Sequence, residues 1–181
     1  MIMSETQKNT QKKTDEVPAV ANKHMVSLVE LILILLLVGL VFVFIFGMKQ
    51  LKTDKKAEVF AKQKFEAILP VLQTAIDAAE EFKRLDDFGD YPFDFGQLNL
   101  TATNAYEINS NDKGEMYIET ADFMIKYDTE NDNFRFIAIT KEEFGKADIK
   151  VIYGLVDRSF EVDDPSPERK PTILDEWLPQ N

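Results

Sequence analysis

The sequence predicts an α+β protein in which a long N-terminal helix, apolar in its first half and amphipathic in its second, packs on a small antiparallel β-sheet. Three observations predict it. Residues 31–48 (LILILLLVGLVFVFIFGM) run eighteen positions without a charge. Phe65, Leu69, Leu72, Ile76, Ala79 and Phe82 then recur at spacings of three or four, the period of one helix face. Beyond them, short runs of aromatic and β-branched residues follow one another at hairpin distances.

Residues 1–25 form a polar leader rich in Lys, Gln and Thr, with four lysines against three acidic residues. Residues 26–48 form a transmembrane helix interrupted only by Ser27 and Glu30. At about 1.5 Å per residue this length covers a hydrocarbon core of roughly 30 Å. A helix buried in a soluble core would keep a polar stripe at period 3.6, and this run has none. A cleaved secretory signal would be shorter and end in small residues, whereas KQLKTDKK follows here. Lysines stand on both sides, at 12, 13 and 23 before the run and at 49, 52, 55 and 56 after it. Taken alone, that count leans towards a cytoplasmic C-terminal domain.

Residues 49–181 are expected to form a soluble domain. Its helix, 49–88, is rich in Ala, Lys, Glu and Gln. Pro70 is expected to bend or divide it, because proline removes an N–H and crowds the carbonyl four residues back. Gly89 is the candidate C-cap, with Pro92 just beyond. Residues 93–115 read as a loop with short extended pieces, closing in the turn Asn111-Asp112-Lys113-Gly114. The sheet is expected over about 115–156. It comprises EMYIE (115–119), FMIKY (123–127) and FRFIAIT (134–140), with IKVIYGLV (149–156) as an edge strand or second ladder. The tail, 163–181, holds four of the seven prolines and reads as irregular, with Trp177 and Leu178 tucked against the domain.

Composition narrows the chemistry. The net charge is −11, with the leader at +1 and the rest of the chain at −12. That balance argues against nucleic acid, which needs a basic face. With no cysteine, thiol catalysis and disulfides are excluded. The single histidine, His24, lies in the leader, which removes histidine triads and histidine-held metals, and neither a P-loop nor a GxGxxG is present. The chain is expected not to be an enzyme and to need no cofactor. Asp128, Glu130 and Asp132 alternate in the turn DTENDN and are weak calcium candidates, lacking the glycine and distal glutamate of an EF-hand.

Glu30 stands out because an ionisable residue within an apolar span is expensive and is read as functional, or else as a boundary residue reaching the headgroups. Its surroundings, Val26-Ser27-Leu28-Val29-Glu30-Leu31, resemble the N-terminal segment of type IV pilins and type II secretion pseudopilins. In that family a small hydroxyl residue and two aliphatics precede a glutamate and a leucine. Gly39 lies nine residues after the glutamate, as in the family, and Gly47 falls where many members have a helix-loosening proline. Gly89-Asp90-Tyr91-Pro92 is similar to the family's glycine–x–tyrosine–proline turn.

The resemblance implies a pilin-like fold and a single-pass protein of the inner membrane, with its N-terminus cytoplasmic and its C-terminal domain periplasmic or extracellular. It orients the helix against the lysine count. It implies a structural role in a pilus or pseudopilus. The partners implied are the lipid bilayer, other pilin or pseudopilin subunits, an inner-membrane assembly platform and a prepilin peptidase. Glu30 would set register by neutralising the α-amine of a neighbouring subunit, while Gly39, Gly47 and Pro70 would lend the helix flexibility. Processing would fall between Met25 and Val26, although Met25 stands where the family has glycine. Without cleavage, Lys23 or a partner's amine is the substitute cation. The aspartate–proline–tryptophan–glycine signature of major pseudopilins is absent, Asp163 and Asp164 being its nearest counterpart. The alternative reading is a signal-anchored membrane protein whose acidic domain binds a partner or ligand without forming a filament.

Overall fold

The structure is a computed structural model and describes residues 27–130 and 133–179. The leader, Met25, Val26 and Asp132 lie outside the described residues. The chain divides into two units, one ending at Phe44 and one beginning at Ile45.

A single helix, α1 (Leu28–Leu85), accounts for the apolar run and the amphipathic stretch. In the first unit, every described residue is exposed, as expected where no polar stripe marks an inward face. In the second unit, Ala61, Phe65, Ile68, Val71, Leu72, Ala75, Ile76 and Ala79 are buried, for the most part at three- and four-residue spacings. This face has moved slightly from the expected stripe. Ile68, Val71 and Ala75 join it, while Leu69 is only partly buried.

Pro70 does not divide the helix, which runs through it without a break. Proline in a helix interior costs about 3 kcal/mol, but Pro70 is on the exposed face, where the missing hydrogen bond opens towards solvent. Ile68, Val71 and Leu72 anchor both of its flanks in the core. The Thr74 hydroxyl donates to the Pro70 carbonyl at 2.8 Å.

The helix stops at Leu85, short of the expected 88, and the stop is set by Asp86 rather than by Gly89. The Asp86 carboxylate accepts from the N–H groups of Phe88 (2.9 Å) and Asp90 (3.1 Å), an alternative partner that turns the backbone away from helix. Gly89, at φ +73°, then closes the turn by donating to the Asp86 carbonyl. Tyr91 and Pro92 are buried immediately after. The Tyr91 hydroxyl donates to the Leu155 carbonyl at 2.8 Å, and Tyr127 donates to the Pro92 carbonyl at 2.7 Å. Those two phenols fix the loop to the sheet.

The sheet is a six-stranded antiparallel meander: β1 (Glu107–Ser110), β2 (Met116–Glu119), β3 (Phe123–Asp128), β4 (Arg135–Thr140), β5 (Lys150–Gly154) and β6 (Ser159–Asp163). It is wider than the expected 115–156 by a strand at each end. β1 lies in the stretch read as loop, because Glu-Ile-Asn-Ser carries a single strong apolar residue. Its pairing comes from the Asn111–Gly114 turn, where the Asn111 side-chain oxygen accepts from Lys113 and Glu115 N–H and Gly114 takes φ +81°. β6 pairs with β5, so the IKVIYGLV run is an internal strand rather than an edge.

The register sets Ile108, Ile118, Ile125, Ala138, Val151 and Val162 in one row across all six strands. These residues and the buried face of α1 form one core, in which Phe65, Phe123 and Phe136 are the largest fully enclosed side chains. The tail is irregular after β6 apart from a 3-10 turn, Asp175–Trp177. Trp177 and Leu178 pack against the core, Trp177 at 6.4 Å from the Phe65 ring.

Candidate assembly surface

The first turn of α1 is capped by two side chains. Ser27 is the N-cap, and its hydroxyl oxygen accepts from Val29 N–H at 3.2 Å. Glu30, at the third helical position, reaches back and accepts from Ser27 N–H at 2.8 Å. Two otherwise orphaned donors are thereby satisfied. The carboxylate also sits where the helix dipole favours negative charge. The hydroxyl and the glutamate singled out in the sequence are therefore one local device. Their spacing, Ser-x-x-Glu ahead of an apolar run, is the signal that reveals it.

Downstream of this cap the helix offers an apolar surface. Its most apolar eighteen-residue window has a mean hydropathy of 3.3, and none of it is buried, so α1 is long and apolar enough to cross a membrane. Gly39 and Gly47 interrupt that surface. A Cβ added at either would meet nothing within 4 Å, so neither glycine is required by the packing of this chain. Small residues on an apolar helix are what allow another helix to approach closely.

The calcium candidates are not brought together. Asp128 is held by Arg135 at 2.7 Å and accepts from the Glu130 backbone N–H at 3.0 Å. Glu130 is exposed, and Asp132 lies outside the described residues. Among the described residues no group of three or more His, Cys, Asp or Glu side chains converges as a metal site would require. Asp163 pairs with Lys150 at 3.0 Å.

Asp164 belongs to a buried cluster that the sequence reading missed. Lys146 and Asp164 are 6% and 7% exposed and 2.6 Å apart. The Lys146 ammonium also donates to the carbonyls of Ser166 and Arg169, and Asp164 accepts from the Thr172 hydroxyl (2.7 Å) and Ser166 N–H (2.9 Å). A single ammonium thus gathers the oxygens of the tail loop and fixes that loop to the β4–β5 connection. Burial raises the Asp164 pKa, but Lys146, Thr172 and Ser166 N–H outweigh it and hold the carboxyl below its ordinary value. Nothing in the sequence distinguishes Lys146 from a surface lysine; its partners all lie beyond β5 and β6 in the chain.

A search of protein-family models, of curated proteins and of solved structures returns no match to this chain. What stands is an α+β protein with, among the described residues, one helix long and apolar enough to cross a membrane.

Proposed function

We propose that this chain is a structural subunit of a type IV pilus-like filament or a type II secretion pseudopilus, non-enzymatic and anchored in the inner membrane with its acidic domain outside the cytoplasm. The observation that carries the reading is the start of α1. One carboxylate, Glu30, sits in the first turn, ahead of an uncharged and wholly exposed apolar segment, in the register of Ser27, Gly39 and Gly47. Apolar helices of neighbouring copies would pack together, and Glu30 would accept a cation from the incoming copy. A carboxylate in low dielectric needs such a partner, and the pairing fixes register.

The test uses the absence of cysteine. Cysteine pairs placed in the apolar segment of the full chain should yield ladders of crosslinked multimers in the native membrane, lost on Glu30→Ala. Glu30→Gln separates two roles, because glutamine keeps the capping hydrogen bond and loses the charge. Loss of ladders in both variants supports a charge-dependent register, whereas monomers from the unmodified charge pattern would overturn the filament. The mass of the membrane-extracted protein decides whether Val26 is a free N-terminus.

A second reading has one observation of its own. An open groove of about 600 Å³ is lined by Phe93, Met116, Tyr117, Lys126, Asp128 and Ile137. It favours a signal-anchored domain that binds a ligand, and that reading predicts monomers with an intact leader.

A further inference from the structure

We infer that the turns of α1 just beyond the apolar run bind anionic phospholipid headgroups through Lys49, Lys52, Lys55 and Lys56; this rests on the membrane anchoring proposed above. Residues 49–56 hold these four lysines against Asp54 alone, a net of +3 in a chain of −11.

Charge on this segment is sorted by face. At 3.6 residues per turn, Lys49, Lys52 and Lys56 fall within about 60° of one another, with Lys55 to one side. Their stripe lies roughly opposite the buried Ala61, Phe65, Ile68 and Leu72. Asp54 and Glu58 fall on the buried side instead, both are half-buried, and Glu58 is taken by Lys170 at 2.6 Å. The acids of the segment thus face the domain, and the lysines face away from it.

The four lysines are exposed, and none is held by a carboxylate among the described residues. Elsewhere in the domain Lys64, Lys141, Lys146, Lys150 and Lys170 each have one. An acidic chain that pairs those lysines within itself leaves this group to an outside anion.

Position along the helix selects the headgroup as that anion. At about 1.5 Å per residue, Lys49 and Lys52 stand about 1.5 and 6 Å beyond Met48, within a polar layer of roughly 5–8 Å per leaflet. Lys55 and Lys56 stand about 10 and 12 Å beyond it, but side chains on a helix lean towards its N-terminus. Their long stems therefore lead the ammonium groups back towards the same layer. Each ammonium is a compact charge with three donors, suited to phosphate oxygens. Counted by sidedness, these lysines lean towards a cytoplasmic domain. Bound to headgroups, they have a use on either face of the bilayer.

The experiment uses the full chain in vesicles of equal parts phosphatidylcholine and phosphatidylglycerol. A bimane fluorophore is placed on Gly47→Cys, where an added Cβ meets nothing within 4 Å and no other cysteine competes. Bromine is carried on the acyl chains of one lipid, then of the other. A lysine close to an anionic surface gains about fivefold, so brominated phosphatidylglycerol should quench at least about fivefold more than brominated phosphatidylcholine. High salt should shrink that ratio. Replacing all four lysines by glutamine should bring it to about one, and replacing all four by arginine should keep it. Lys113→Gln with Lys126→Gln, in the β1–β2 turn and on β3, should leave it unchanged. Quenching by both lipids at a ratio below about fivefold, or a ratio that survives the four glutamines, overturns the lipid surface while the membrane span stands. Quenching by neither lipid removes the span and this inference together. If the ratio is near one and the glutamine variant also loses the ladders of apolar-segment cysteines, the lysines belong to a neighbouring copy, which likewise overturns the lipid surface.

Discussion

Lys146→Met should unfold the tail and weaken the whole domain. Methionine approximates the lysine stem but removes an ammonium that is 6% exposed and serves Asp164, Ser166 and Arg169 together. The Asp164 carboxylate remains, 7% exposed, with only Thr172 and Ser166 N–H to stabilise its charge. Removing one partner of a buried ion pair costs about 3–5 kcal/mol, because the other is left charged and uncompensated. Trp177, the sole tryptophan, lies on this tail 6.4 Å from Phe65 and reports its docking. Urea unfolding of the full chain in detergent, followed by Trp177 fluorescence, is the assay. With a slope of about 2 kcal/mol per molar urea, a loss of about 4 kcal/mol lowers the midpoint by about 2 M.

The pH dependence supplies a second readout. A carboxyl held below its ordinary 3.8 in the fold contributes stability that is present above that value and is lost as pH falls through the folded pKa. The native midpoint should therefore drop below about pH 4. Lys146→Met should flatten that drop, since the largest stabiliser of the ionised carboxylate is gone. A midpoint shift under about 0.5 M, or an unchanged acid limb, would refute the claim that this pair organises the tail.

Three further substitutions probe the helix and its cap. Phe65→Ala should cost about 3–5 kcal/mol, since Phe65 is wholly buried and packs near Trp177, and the same urea assay reads it. Pro70→Ala should stabilise by about 2–2.5 kcal/mol, the helix-propensity gain less the stiffness proline gives the unfolded chain, with a raised thermal midpoint as the check. Ser27→Ala should remove about 1 kcal/mol from the first turn of α1, seen as faster hydrogen exchange at the Val29 amide.

What could be read in the sequence was whatever has a local period. The apolar run, the helical stripe from Phe65 to Ala79 and the strands around Ile118, Ile125 and Ala138 each announce themselves within a few residues. β1 escapes because Ile108 is its only strong apolar residue, so its pairing is decided by the Asn111 turn and by β2. Gly89 marks a helix end in the sequence, yet the side chain of Asp86 stops the helix first. Pro70 signals a break, but a propensity penalty of about 3 kcal/mol is outweighed by a buried face on both of its flanks. Of the candidate site, Glu30 and Ser27 are legible as residues, and their Ser-x-x-Glu spacing is the local signal of the cap they form. The Lys146 cluster is not legible at all, since its members meet only after the sheet has formed.

The helix surface bears most directly on the proposed function. Eighteen large apolar side chains between Leu28 and Met48 are exposed among the described residues. At about 1.5–3 kcal/mol each, covering them is worth roughly 30–50 kcal/mol, several times the roughly 5–15 kcal/mol that holds a domain folded. Such a surface is always covered, but hydrocarbon tails and neighbouring helices cover it almost equally well, so burial cannot choose between them. On the filament reading proposed above, the choice falls to the ionisable residue at the end of the apolar run. Glu30 is that residue, in the first turn of α1. A helix that leaves the bilayer for a filament, as proposed, needs such a polar group, because its apolar surface cannot tell one axial position from the next.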